Sequence, residues 1–228
     1  HCLLVAVMAT VLLTGCATFG TYETARTTAP GKFQIGSAIT LMHMYISNIF
    51  TDKKELTFLF SPLPELSAKM VVAQNFDLGI RWAVALGLGM TFTSKYQFLK
   101  GPTDGAFSLY GSFYGYDISR VPPVGFYELD SRIILSREAP NAFPFSANAG
   151  IKFSGVEAGG LLSAVAGFGL PFRSGATRSL RIIPELSLTL PIILTFNDRD
   201  IGGSQSLIGD LLISFGVGCT SVGASEDK

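Results

Sequence analysis

Residues 76–87, Phe76-Asp77-Leu78-Gly79-Ile80-Arg81-Trp82-Ala83-Val84-Ala85-Leu86-Gly87, alternate in character at every step. Phe76, Leu78, Ile80, Trp82, Val84 and Leu86 have one parity, and Asp77 and Arg81 have the other. Successive side chains of a strand point to opposite faces, so this stretch has one apolar face and one face that holds both of its charges. The division recurs along the chain. When each strand's larger apolar residues are taken as one face, the other face collects Glu65, Lys69, Asp77, Arg81, Lys95, Glu128, Asp130, Arg132, Lys152, Arg181, Glu185 and Asp210. The opposite face holds Leu180, Ile182, Leu186, Leu188, Leu190 and Ile192 near the end of the chain, followed by Leu207, Leu211, Ile213, Phe215 and Val217.

Segments of this kind, separated by turn signals, predict strands at about 33–46, 63–73, 76–87, 90–100, 105–117, 125–136, 143–154, 160–172, 179–194 and 206–219. Gln74-Asn75-Phe76-Asp77 is the clearest hairpin turn, and Gly87-Leu88-Gly89 must turn tightly between the third and fourth strands. Ser47–Pro62 and Asn197–Gln205 read as longer loops, the latter carrying the Asp198-Arg199-Asp200 cluster as a solvated loop or a site for a cation or a partner.

Composition says where such strands could be stable. Of 228 residues, 48% are hydrophobic and only 15% charged, against roughly 25% charged in an ordinary soluble protein. Part of the surface is therefore expected to face something other than water. A helical span needs about 20 consecutive apolar residues, and the sequence from Cys16 onward has no such run. A closed sheet is the remaining way to satisfy every backbone group in hydrocarbon. The expected fold is all-β, a closed antiparallel up-and-down transmembrane β-barrel of about 10 strands, with 8 or 12 also allowed. In the inverted, water-soluble barrel the charges would lie outside. The charge-bearing face is otherwise made of residues such as Ser163, Gly167, Gly169, Ser214, Gly216 and Gly218, too bare for a solvated exterior. Tyr45, Tyr96, Phe98, Phe107, Phe126, Tyr127, Phe143, Phe153 and Phe172 fall near span ends, where interfacial girdles or plain β-propensity would place them.

Other classes receive little support. With 17 basic and 17 acidic residues the formal charge is zero, so no long-range field recruits nucleic acid. Cys2, Cys16 and Cys219 offer neither a disulfide framework nor a metal cluster, and no cofactor is expected. His43 is the only histidine of the mature part, and its parity with Phe33, Ile35 and Leu41 points it to the apolar side. No catalytic residue, and no enzyme, is expected.

At the amino terminus, Leu3 to Leu13 (LLVAVMATVLL) form an apolar stretch of signal-peptide length. It ends in Leu13-Thr14-Gly15-Cys16, which resembles the lipobox of bacterial lipoproteins. The resemblance implies cleavage before Cys16, lipidation of that cysteine, and passage through the lipoprotein-sorting machinery. Ala17 in place of an aspartate implies sorting to the outer membrane, with the anchor in the periplasmic leaflet. Residues 1–15 are then a signal peptide, 16–32 the lipidated cysteine and a periplasmic linker, 33–220 the barrel and 221–228 a polar tail.

The mature chain also resembles the small outer-membrane β-barrels. Pro64-Glu65-Leu66 and Asn75-Phe76-Asp77-Leu78-Gly79 are similar to hairpins of that architecture, although the final strand lacks its usual terminal aromatic. The resemblance implies outer-membrane lipid and the barrel-assembly machinery as partners. It leaves three readings open: a barrel with a structural or envelope role whose lumen is largely plugged by paired charges, a narrow channel or carrier for small solutes or lipids, and a lipid- or peptide-modifying enzyme.

Overall fold

The computed structural model describes residues 21–27, 29–47, 55–84, 88–117, 124–138, 142–156, 159–174, 180–196 and 211–221. The strands in chain order are β1 (Phe33–Ser47), β2 (Glu55–Ala73), β3 (Phe76–Val84), β4 (Leu88–Leu99), β5 (Asp104–Asp117), β6 (Val124–Arg137), β7 (Phe145–Val156), β8 (Gly159–Gly169), β9 (Phe172–Ser174), β10 (Leu180–Phe196) and β11 (Leu211–Ser221). Neighbours are antiparallel, and β11 pairs with both β10 and β1, so the sheet closes on itself. β9 is a stub that continues the line of β8 along β10, with Phe172 opposite Ile182 and Gly169 opposite Glu185. The result is a closed ten-stave barrel with no helix among the described residues.

Proline accounts for the main departures from the expected strands. Residues 160–172 read as one strand, but Pro171 and Pro184 both lack an N–H and lie where β8 and β10 would pair. The ladder breaks there, leaving one bond from the Leu170 N–H to the Pro184 carbonyl. Ser47–Pro62 reads as a loop, whereas β2 already begins at Glu55. The ladder absorbs Pro62 at a bulge, where Thr40 faces Leu63 and Met42 faces Phe60, and a bulge requires no donor from the extra residues. The bulge also reverses the parity of β1 beyond Thr40, so Met42 takes an exposed position. In the backbone register His43 falls opposite Ser214.

The two faces of the wall differ as the alternation requires. Ile80, Trp82, Leu129, Ile133, Ile151, Phe168 and Leu186 are exposed, while Asp77, Arg81, Glu128, Asp130, Arg132, Lys152 and Glu185 of the same strands are buried. Tyr96, Phe98, Phe107, Tyr127, Phe143, Phe153 and Phe172 are also exposed. This inverts the distribution of a barrel that faces water.

Residues 21–27 are held inside this wall. The segment leads into β1 through Ala29-Pro30-Gly31-Lys32, a turn in which the Lys32 N–H donates to the Ala29 carbonyl at 3.2 Å. Proline presets the first corner, and Gly31 takes the second with a φ of 77°, the arrangement of a type II turn. The Gly31 N–H to Val71 carbonyl and Val71 N–H to Lys32 carbonyl bonds fasten the turn to the end of β2. A Cβ at Gly31 would meet nothing within 4 Å, so a substitution there costs only backbone strain. Gly31→Ala is expected to lower stability by about 1 kcal/mol, measured as a shift of the urea midpoint in micelles with an unchanged slope.

Candidate functional site

The wall supplies the first half of the site. Glu65, Lys69, Asp77, Arg81, Lys95, Glu128, Asp130, Arg132, Lys152, Arg181 and Glu185 are all buried in the lumen, whereas Asp210 and Cys16 lie outside the described residues. Register sets their pairing. Asp77 lies directly opposite Lys95, and their side chains meet at 3.1 Å. Asp130 lies opposite Lys152, but its carboxylate turns to Arg132, two residues along the same strand, at 2.6 Å. Lys152 instead meets Glu128 at 3.3 Å, and Ser154 donates to that carboxylate at 2.9 Å. Arg132 also donates to Asn148 Oδ1 at 2.9 Å. Near one mouth, Arg181 and Arg173 converge on Glu138, at 3.0 and 3.4 Å. Burial alone would raise the Glu138 carboxyl, but Arg181, with Arg173 behind it, holds it below the usual carboxylate range.

The second half comes from residues 21–27, which the sequence reading assigned to a periplasmic linker. Ala25 is fully buried against Ala106 and Ile134, and Thr21, Tyr22, Glu23, Thr24 and Thr27 are buried as well. Glu23 projects into a cluster of bases from three adjacent strands. It pairs with Lys69, with Arg81 at 2.9 Å and with Lys95 at 3.9 Å. Lys69 therefore meets its carboxylate on the segment, while Arg81 also has Glu65 of the wall at 3.8 Å. The Arg81 guanidinium lies 5.4 Å from the centre of the Tyr110 ring, a cation–π contact that covers its other side. Three residues beyond Glu23, Arg26 meets Asp104 at 2.9 Å.

The segment's main chain is bonded to side chains of the wall. Glu185 accepts from the N–H groups of Thr21 and Tyr22, at 2.9 and 2.6 Å. The Ala25 N–H donates to Ser136 and the Thr27 N–H to Gln97 Oε1. On the acceptor side, Arg81 donates to the Thr21 carbonyl, Ser146 to that of Glu23, and Lys95 to those of Thr24 and Arg26. Each buried main-chain group answered this way escapes a desolvation cost of about 1–3 kcal/mol.

Tyr22 explains the bareness of the wall near its seam. Its hydroxyl lies 2.9 Å from Thr40 Oγ1, and a Cβ added at Gly216 or Gly218 would run into its side chain. Two of the glycines read from sequence as too bare for a solvated surface, Gly216 and Gly218, thus form a bay for an aromatic ring. Sequence reasoning missed Glu23, Arg26, Gln97, Asp104, Glu138 and Asn148. The usable signals were the Pro30-Gly31 reversal and the Gly-x-Gly run on one face of β11. Gly218→Leu should expel Tyr22 and loosen the segment. Trypsin cleavage after Arg26 is then expected at least ten times faster than in the wild-type chain, measured by mass spectrometry of the folded barrel.

No protein-family model matches the chain, and no curated protein matches it. Solved structures that align with it include two from bacteria. One is the translocator domain of the autotransporter NalP from Neisseria meningitidis, 9% identical, with a TM-score of 0.39 over 95% of this chain and 95% of that chain. The other is Ail, the attachment invasion locus protein of Yersinia pestis, 14% identical, with a TM-score of 0.26 over 85% of this chain and 99% of that one. The reading of the lumen rests on its own geometry.

Proposed function

We propose that this chain is an outer-membrane β-barrel lipoprotein closed by its own residues 21–27, with a structural or envelope role and no catalytic one. The observation that carries the reading is Glu23, seated among Lys69, Arg81 and Lys95 in the lumen of a barrel whose exterior is apolar. Exposed Leu, Ile and Phe side chains around the whole wall are suited to lipid. A closed sheet leaves no edge to be satisfied there. Ten staves also enclose less space than the 16–18 of channel-forming porins, so one buried segment goes far toward filling the bore.

The anchor belongs to the same proposal. Cys16 precedes Thr21 by five residues, a reach of at most about 17 Å. Acylation at Cys16 and a filled lumen are compatible only if residues 17–20 lead back to a membrane surface within that length. The alternative, a narrow channel or carrier for small solutes or lipids, requires the segment to withdraw. An enzymatic role would have to be built on His43, the only histidine after Cys16.

In planar bilayers the full-length chain should show no steady ion conductance, and steady conductance at rest would contradict closure. Leu129→Arg, on the exposed apolar face, should cost about 2–4 kcal/mol on unfolding from lipid vesicles. A cost under about 0.5 kcal/mol, typical of a solvated surface position, would mean that this face meets water. Metabolic palmitate labelling should be lost in Cys16→Ala.

A further inference from the structure

We propose that the part of the lumen filled by residues 21–27 is a binding channel for a peptide that carries a carboxylate and, three residues later, a cation, and that these residues are its resident, displaceable ligand. The proposal rests on the closed-barrel reading and gives the closing segment a second role.

Three observations carry it. First, the segment adds no strand to the sheet. The ladder from β1 round to β11 closes without it, so its departure breaks no bond of the wall's own sheet. Second, the wall holds the segment as a receptor holds a peptide. Four N–H groups and four carbonyls of the segment are met by Arg81, Lys95, Gln97, Ser136, Ser146 and Glu185. Bonds from side chains to main chain hold a backbone whatever its sequence, and specificity falls to the few side chains that are read. Here those are a carboxylate for Lys69 and Arg81, a cation three residues later for Asp104, and between them nothing larger than Thr24 and Ala25. The wall keeps this pattern when the segment leaves, with Lys69 then ready for another carboxylate. Third, the segment is seated with strain. Tyr22 holds a φ of 47°, in the left-handed region that favours glycine, and release removes that cost. The turn at Pro30-Gly31, fastened to the end of β2, keeps the released segment tethered at the barrel.

The test uses the full-length chain in micelles and a fluorescent peptide of residues 21–27, with binding read by anisotropy. The peptide should bind a Glu23→Ala chain at least ten times more tightly than the wild-type chain, whose tethered copy competes. A peptide carrying Glu23→Gln should bind at least ten times more weakly, and free glutamate should not compete. A Glu23→Ala barrel that keeps its heat-modifiable migration yet binds the peptide no better than wild type would overturn the proposal. So would equal competition by free glutamate, which would make the site one for small acids. If Glu23→Ala does not fold, hydrogen exchange on the wild-type chain decides. The amides of Thr21, Tyr22, Ala25 and Thr27 should exchange at least ten times faster than those of β4–β6, because the segment opens without unfolding the wall. Exchange only at the rate of the strands would show a fixed structural element. Steady conductance of the wild-type chain would remove the closed-barrel reading, whereas exchange rates report on displacement alone.

Discussion

Closure of β11 onto β1 is the constraint on which the molecule depends. Once Ile39 faces Val217 and the ring is complete, every second residue of every stave is committed to a bore of limited volume. A side chain placed there can neither reach lipid nor spread into bulk water, so its partner must come from across the bore or from something threaded through it. The wall answers part of its own charge, as with Asp77 and Lys95 or Glu128 and Lys152. Residues 21–27 answer another part, with Glu23 for Lys69 and Arg26 for Asp104. Such pairs need not stabilise much in themselves, because desolvation opposes the Coulomb gain. Their weight lies in what happens when one partner is missing, since the remaining charge stays confined.

The strands were legible because period two is enforced at every residue of a closed sheet. Asp77, Arg81, Glu128, Asp130 and Arg132 could be assigned to one face from parity alone, with no knowledge of the partner across the bore. Parity carries no information at irregularities. The bulge at Thr40 moved Met42 to the outer face, and the prolines at 171 and 184 divided a stave that the pattern read as continuous. Asp104 opens β5 one residue before its expected start and Glu138 lies just past β6, so the alternation did not collect them.

The lumen segment was illegible for a different reason. Thr21 to Thr27 have no period, because their conformation is set by bonds to side chains far away in sequence. Their polarity and threonine content match those of a linker. Only contact separates the two, and the contact of Tyr22 with Gly216 and Gly218 spans almost the whole chain. The bareness of β11 was visible as composition. That it outlines the shape of a tyrosine could not be seen from either stretch alone.

The tight corner at Ala29–Lys32 has a kinetic and thermodynamic corollary. A group joined to its receptor through so few residues experiences a local concentration in the millimolar range, whatever its abundance in the cell. Weak intrinsic affinity therefore suffices to keep the bore filled, and a rival arriving from solution must outcompete a neighbour that never diffuses away. Lengthening or cutting that corner would alter occupancy without touching a single contact in the bore.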